Sequence, residues 1–270
     1  MLSNTLQTVK YYNLNIKKKF GQNFLIDQNI IKKIIDAVDV TENDTIIEIG
    51  PGIGTLTQFL LDANKIFAIE LDKDLVKVLQ EKFAAQKNLQ IINADILKFD
   101  LQKLIDSKNV KIVSNLPYYI STAVITKCLT LQIQSMIVMV QKEVGERIFA
   151  RPSTKSYGSL SIFSQFYADI SEITKVSSNS FLPRPKVEST VIKFTMKGLH
   201  EEKFLFEFVQ RAFSKRRKTL INCLDNFYGL SKQKITDILI QNNLDKNIRG
   251  EALTIENFIE LAKQIEKLIH

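Results

Sequence analysis

A chain of 270 residues with 45% hydrophobic side chains is long enough for one large domain with a sizeable core and a smaller domain after it. Its 37 lysines and arginines against 29 acids leave a formal charge of +8, which suits an anionic partner only where the cations cluster, because counterions are released where several cations meet phosphates together. No apolar run reaches bilayer length, no leader pattern opens the chain, and the two histidines, His200 in a linker and His270 at the end, leave little scope for histidine acid–base chemistry or a metal site.

Cys128 and Cys223 match neither zinc nor redox spacing and read as buried thiols of a reducing compartment, so the expectation is a soluble, cytoplasmic protein without metal. Residues 1–26 hold no acid but carry Lys10, Lys17, Lys18 and Lys19, followed by Phe20-Gly21-Gln22-Asn23-Phe24-Leu25. A basic arm on RNA and a solvated start are both open; an organellar targeting peptide fits less well, since such peptides favour arginine and serine. Asp27 is placed to cap a helix whose apolar positions, Ile30, Ile31, Ile34, Ile35 and Val38, recur at helical spacing. A β-rich run, 45–49, then ends in Gly50, Gly52 and Gly54, with a helical run expected over 55–61. Glycines there let the backbone pass close to a ligand, and amides opening the next helix would face it. The next strand, 66–70, ends in Glu70, twenty residues past Gly50, where a carboxylate can accept both hydroxyls of a ribose. The glycine spacing is not that of a dinucleotide site. A third strand, 89–92, runs into Asp95, which can accept from an adenine amine in the same crevice.

The apolar run 111–113 leads into Asn115-Leu116-Pro117-Tyr118, a turn beyond the carboxyl end of a buried strand. Two acceptors, the Asn115 side-chain oxygen and the Leu116 carbonyl, could each take one hydrogen of an adenine amine and localise the lone pair that the ring otherwise delocalises. Pro117 stiffens the turn and Tyr118 offers a face to a base taken out of its stack. An ordinary strand-to-helix turn, with Asn as cap and Tyr as core, stays open beside this reading. A helix over 122–129, a strand over 136–140, a short helix over 142–149, a helix entry at Tyr157-Gly158-Ser159 and two strands over 169–176 and 188–196 follow. They complete an α/β fold of seven strands, mostly parallel, with an antiparallel final hairpin. Gly198-Leu199-His200 marks the expected boundary between a domain of residues 1–198 and an all-α domain of residues 199–270. Within the latter, Arg211, Lys215, Arg216, Arg217 and Lys218 fall in eight residues without an acid; Arg211, Lys215 and Lys218 could share a helix face and meet phosphate.

Taken with Gln141-Lys142-Glu143-Val144, Tyr157-Gly158-Ser159-Leu160-Ser161 and Phe181-Leu182-Pro183-Arg184-Pro185-Lys186-Val187, the motifs above resemble, in order, those of the ribosomal RNA adenine dimethyltransferases, a branch of the Rossmann-like class I S-adenosylmethionine methyltransferases. The stretch 213–224, with Asn222, resembles the bacterial small-subunit type and not the macrolide-resistance methylases. The resemblance implies that Asn23, Leu25, Gly50, Glu70, Asp95 and Asn115 hold S-adenosylmethionine, that Asn115 and Leu116 hold the amine, and that the target adenine lies between Tyr118 and Phe181. It implies two methyl transfers to each of two adjacent adenines in the 3′-terminal hairpin of small-subunit rRNA, with S-adenosylhomocysteine as product. The substrate would be an immature subunit and the enzyme a monomer, with Lys17, Lys18, Lys19 and the C-terminal cations on RNA. Leu116 stands where the family often has a second proline, and only its carbonyl is required. Three alternatives are a large-subunit resistance methylase, an assembly or transcription factor that has lost catalysis, and a nicotinamide oxidoreductase.

Overall fold

The structure is a computed structural model describing residues 7–8, 11–12, 22–105, 109–199, 202–215 and 217–269. Lys10, Lys17, Lys18, Lys19, Arg216 and both histidines lie outside the described residues. In chain order come β1 (Phe24–Leu25), α1 (Gln28–Val38), β2 (Thr45–Ile49), β3 (Lys65–Glu70), α2 (Lys73–Lys82), β4 (Leu89–Asn93), β5 (Val110–Asn115), α3 (Ser121–Leu129), β6 (Ser135–Gln141), α4 (Lys142–Ile148), α5 (Ser159–Tyr167), β7 (Ala168–Val176), β8 (Phe181–Leu182), β9 (Ser189–Met196), α6 (Lys203–Ala212), α7 (Leu220–Leu224), α8 (Lys232–Gln241) and α9 (Ile255–Ile269). Two compact units result, Met1–Gly145 with Tyr167–Leu199, and Glu146–Phe166 with His200–His270. The boundary expected at 198 leaves residues 146–166 with the sheet; they group instead with the C-terminal helices.

In the first unit seven strands lie in the order β4-β3-β2-β5-β6-β9-β7. Five are parallel, and β9 runs antiparallel to both β6 and β7, as the expected final hairpin requires. Strand β2 pairs with β3 on one side and β5 on the other, so the order of connection reverses between β2 and β5 and opens a crevice beyond their carboxyl ends. Both are buried along almost their whole length, which explains their near-continuous apolar sequence. Helix α1 begins where Asp27 accepts from the Asn29 and Ile30 amides, and it buries Ile30, Ile31, Ile34 and Val38 against Val113, Ile137 and Met139 of the sheet. At about 2 kcal/mol per large side chain, that face far outweighs the cap in holding the helix down.

The helix expected over 55–61 is only a 3₁₀ turn, Thr57–Phe59. The Thr57 hydroxyl donates to buried Glu48, and Asn88 Nδ2 donates to the Leu61 and Ala63 carbonyls just past the turn. In the second unit, α6 buries Phe204, Phe208 and Val209, α8 buries Ile235, Ile238 and Leu239, and α9 buries Phe258, Leu261, Ala262 and Ile265. Phe163 of α5 stacks on Phe206 at 3.9 Å between ring centroids, and the Tyr157 hydroxyl donates to the Leu253 carbonyl at 2.9 Å, so the helix entry at 157–159 serves packing. Among the described residues no helix is long and apolar enough to cross a membrane.

Candidate active site

The crevice beyond β2 and β5 is a cleft lined by Asn23, Leu25, Gly50, Glu70, Asp95, Asn115, Leu116 and Tyr118, which the sequence singled out, together with Gln22, Phe24, Glu48, Leu97 and Tyr119. Its floor is the glycine loop. Gly50 and Gly52, which line it, hold φ of +68° and +61°, and a Cβ on Gly52 would stand 3.2 Å from the Phe24 ring, so side chains are disfavoured there by backbone conformation and at Gly52 also by space. The loop amides do not all face the cleft. Gly52 N–H donates to Glu70 Oε2 at 3.1 Å and Asp72 N–H to Glu70 Oε1 at 2.8 Å. Glu70 is thereby aimed by backbone from both sides. Burial raises its pKa; the backbone bonds from Asp72 and Gly52 work the other way. Asp95 Oδ1 accepts from Leu97 N–H at 3.0 Å, which fixes the carboxylate and leaves Oδ2 without a hydrogen bond among the described residues.

The turn after β5 is anchored on three sides. Ser114 Oγ donates to the Ile49 carbonyl at 2.5 Å, Leu116 N–H donates to the Met139 carbonyl at 3.2 Å, and Ser121 Oγ donates to the Tyr118 carbonyl at 3.1 Å. Asn115 Nδ2 donates to the Asn23 carbonyl at 3.0 Å, so the donor end of the amide is committed to the amino-terminal arm. The acceptor end and the Leu116 carbonyl accept no hydrogen bond among the described residues, and Asn115 and Leu116 both line the cleft. The half-buried Tyr118 ring is held through its hydroxyl, 2.8 Å from Ser189 Oγ; burial raises its pKa.

Two expectations need correction. Phe181 is only 3% exposed, packs in the core with Leu25 and Ile30, and does not line the cleft. Strand β8 pairs with β1, Phe181 opposite Leu25, and the Phe181 ring packs into the core, so the aromatic sandwich is not assembled here. The C-terminal cations do not share a helix. Helix α6 ends at Ala212, and Phe213 turns its ring between Tyr157 and Phe258, leaving Lys215, Arg217 and Lys218 in the turn before α7. Arg211 remains on α6, where its Nη2 donates to the Asp225 carbonyl at 3.3 Å.

Sequence reasoning passed over Glu48, Gln22 and Tyr119. Glu48 is 1% exposed, accepts from Thr57 Oγ1 at 2.6 Å, and burial pushes its pKa up to about 7. A lone acid inside an apolar strand was the available signal. Gln22 Nε2 donates to Asp72 Oδ2 at 2.9 Å and pins the arm beside Glu70. Tyr119 is 60% exposed, and its raised pKa reflects burial first and then the Asp95 and Glu70 charges.

A mostly parallel seven-stranded sheet of this order, with a glycine loop after the central strand, an acid ending the next strand and an Asn-Leu-Pro-Tyr turn at the switch point, defines a class I methyltransferase. The sequence pattern of the family described as Ribosomal RNA adenine dimethylase matches residues 13–261, and the chain belongs to that family. It is 44% identical over 276 residues to the Ribosomal RNA small subunit methyltransferase A of Alkaliphilus oremlandii, covering 97% of this chain and 96% of that one. Among solved structures it is similar to a dimethyladenosine transferase from Plasmodium falciparum, with a TM-score of 0.78 at 25% identity over 90% of this chain and 98% of that one. The 23S rRNA methyltransferase ErmE shares the fold, with a TM-score of 0.66 at 23% identity over 90% of this chain and 100% of that one.

Proposed function

We propose that this chain dimethylates N6 of two adjacent adenines in the 3′-terminal hairpin of small-subunit rRNA, using S-adenosylmethionine. One observation carries the catalytic reading: the Asn115 amide is locked through its nitrogen to Asn23, which leaves its oxygen as the end still able to accept, in a cleft that Leu116, Glu70 and Asp95 also line. The names of the relatives support the substrate. The residues fit the cofactor. Glu70 is a backbone-oriented carboxylate in the cleft wall for a ribose hydroxyl, Asp95 Oδ2 is available to an adenine amine, and Gly50 and Gly52 offer backbone without side chains for the methionine part beside Asn23 and Leu25. When bound, S-adenosylmethionine supplies an electrophilic methyl group.

Asn115 Oδ1 and the Leu116 carbonyl accept the two amine hydrogens and draw the nitrogen toward tetrahedral geometry, which frees its lone pair. Both acceptors are placed before substrate arrives, by Asn23 on one side and Met139 on the other, so no rearrangement is needed at the moment of reaction. Tyr118 provides a face for the extruded base, worth about 1–3 kcal/mol against the few kcal/mol that unstacking costs. An alkylated adenine amine loses its proton readily to water, so the turn needs no general base. A monomethylated amine keeps one hydrogen for the same acceptors, which permits the second transfer. The C-terminal helical domain, with Lys215, Arg217 and Lys218, contacts phosphates of a hairpin recognised by shape within an immature subunit. The enzyme acts as a monomer in the cytoplasm.

Tritiated methyl transfer to immature small subunits and to protein-free large-subunit rRNA tests the assignment. Labelling of the small subunit alone is expected. Label only on the large-subunit RNA would make the chain a resistance-type methylase, and label on neither would make it an assembly factor.

A further inference from the structure

Lys127 lies on α3, the helix that starts directly after the catalytic turn. Its ammonium donates to three backbone carbonyls: Phe99 at 2.6 Å, Ile96 at 2.9 Å and Leu97 at 3.1 Å. An ammonium has three hydrogens, and each has an acceptor here. All three carbonyls belong to the segment that Asp95 opens, and that segment has no sheet or helix ladder of its own to hold its shape. The same segment is folded onto Asp95. The Lys98 and Phe99 amides donate to the Asp95 carbonyl at 3.0 and 2.8 Å, and the Leu97 amide donates to its carboxylate. The other end of α3 is tied to the catalytic turn through Ser121 Oγ and the Tyr118 carbonyl. One helix therefore fixes both the turn that holds the target amine and the loop that carries Asp95.

We propose that Lys127 is a positioning residue for cofactor recognition, holding the 95–99 loop so that Asp95 Oδ2 meets the cofactor's adenine amine. This rests on the reading of Asp95 given above. Without the ammonium, three carbonyls converging on one point lose the charge that gathers them, and the loop opens toward water. Asp95 then retains its charge but not its aim. A lysine that merely stabilised the fold would change stability and leave the choice between cofactor bases intact.

The test is calorimetric binding of S-adenosylhomocysteine and of S-inosylhomocysteine, which carries an oxygen in place of the amine, to the full-length protein. Wild type prefers the adenine compound, and Asp95→Ala abolishes the preference. Lys127→Met, which keeps the aliphatic stem and removes the donors, is expected to bind the adenine compound about tenfold more weakly, the effect of one net charge-assisted hydrogen bond, with the inosine compound changed less than about twofold. Lys127→Arg retains donors at the site and recovers much of the preference. Should Lys127→Met fail to fold, Lys127→Gln is measured in the same way and is expected to lose preference in the same direction. Wild-type preference in Lys127→Met or Lys127→Gln, alongside its loss in Asp95→Ala, overturns the role of Lys127. Wild-type preference in Asp95→Ala overturns the reading of Asp95 itself.

Discussion

Replacing Asn115 with alanine removes two interactions of different worth. The first is the 3.0 Å bond from Nδ2 to the Asn23 carbonyl, which holds the amino-terminal arm against the cleft. A half-buried neutral bond of this kind contributes about 1 kcal/mol net, so cofactor affinity should fall no more than roughly fivefold. The second is the Oδ1 acceptor, a preorganised group aimed at charge that develops only during reaction. Losing one such group costs about 3–4 kcal/mol of barrier, or roughly 10²–10³ in kcat. Single-turnover transfer of tritiated methyl to immature small subunits should therefore fall at least about a hundredfold, while calorimetry with S-adenosylhomocysteine shows a nearly normal cofactor site. Asn115→Asp sharpens the comparison. It keeps an acceptor but sets an oxygen against the Asn23 carbonyl, so it should weaken the cofactor more than alanine does. Equal losses of kcat and cofactor affinity in Asn115→Ala, or a kcat within tenfold of wild type, would refute the division of roles.

Glu70→Ala should show the reverse pattern, because it removes a charged acceptor oriented by Gly52 and Asp72. Cofactor affinity is expected to drop roughly 10–100-fold with kcat at saturation changed far less, as calorimetry and steady-state kinetics would show. Glu48 gives a pH signature. Its carboxyl is raised from the usual 4.5 to about 7 by burial, so the folded chain holds a proton that the unfolded chain releases. Stability from this group is thus present below pH 4.5, is lost as pH rises toward 7 and is level above that, a change of about 3 kcal/mol at most. Glu48→Gln should match wild type in urea near pH 4.5 and exceed it at pH 8; identical pH slopes would remove Glu48 as the source. Replacing Lys215, Arg217 and Lys218 together with alanine should weaken RNA binding and lower the salt slope by up to about 0.9 for each phosphate that is no longer neutralised. An unchanged slope would take that turn out of the interface.

Much of the site was legible because its parts announce themselves locally. Asp27 ahead of the α1 periodicity, the alternating glycines at 50–54, and acids at the end of one strand and just past the end of the next need no knowledge of the rest of the chain. The parts that were misread depend on distant neighbours. The apolar spacing at 55–61 suits a helix, yet the segment keeps a single 3₁₀ turn, tied to distant residues through Thr57 to Glu48 and through the Leu61 carbonyl to Asn88. Arg211, Lys215 and Lys218 read as sharing a helix face until Phe213 finds Tyr157 and Phe258 and the helix stops.

By itself the chain determined the seven strands of the main sheet, where the turn and the glycine floor fall, and which carboxylates end up at the carboxyl edge of the sheet, because periodicity, φ preference and spacing are written in consecutive residues. Only the tertiary structure decided that Phe181 is buried opposite Leu25, that Asn115 commits its side-chain nitrogen to the Asn23 carbonyl, and that Lys127 reaches back some thirty residues to the loop of Asp95. Those outcomes turn on which polar atom meets which across packed elements, and burial then makes each such pairing costly to undo.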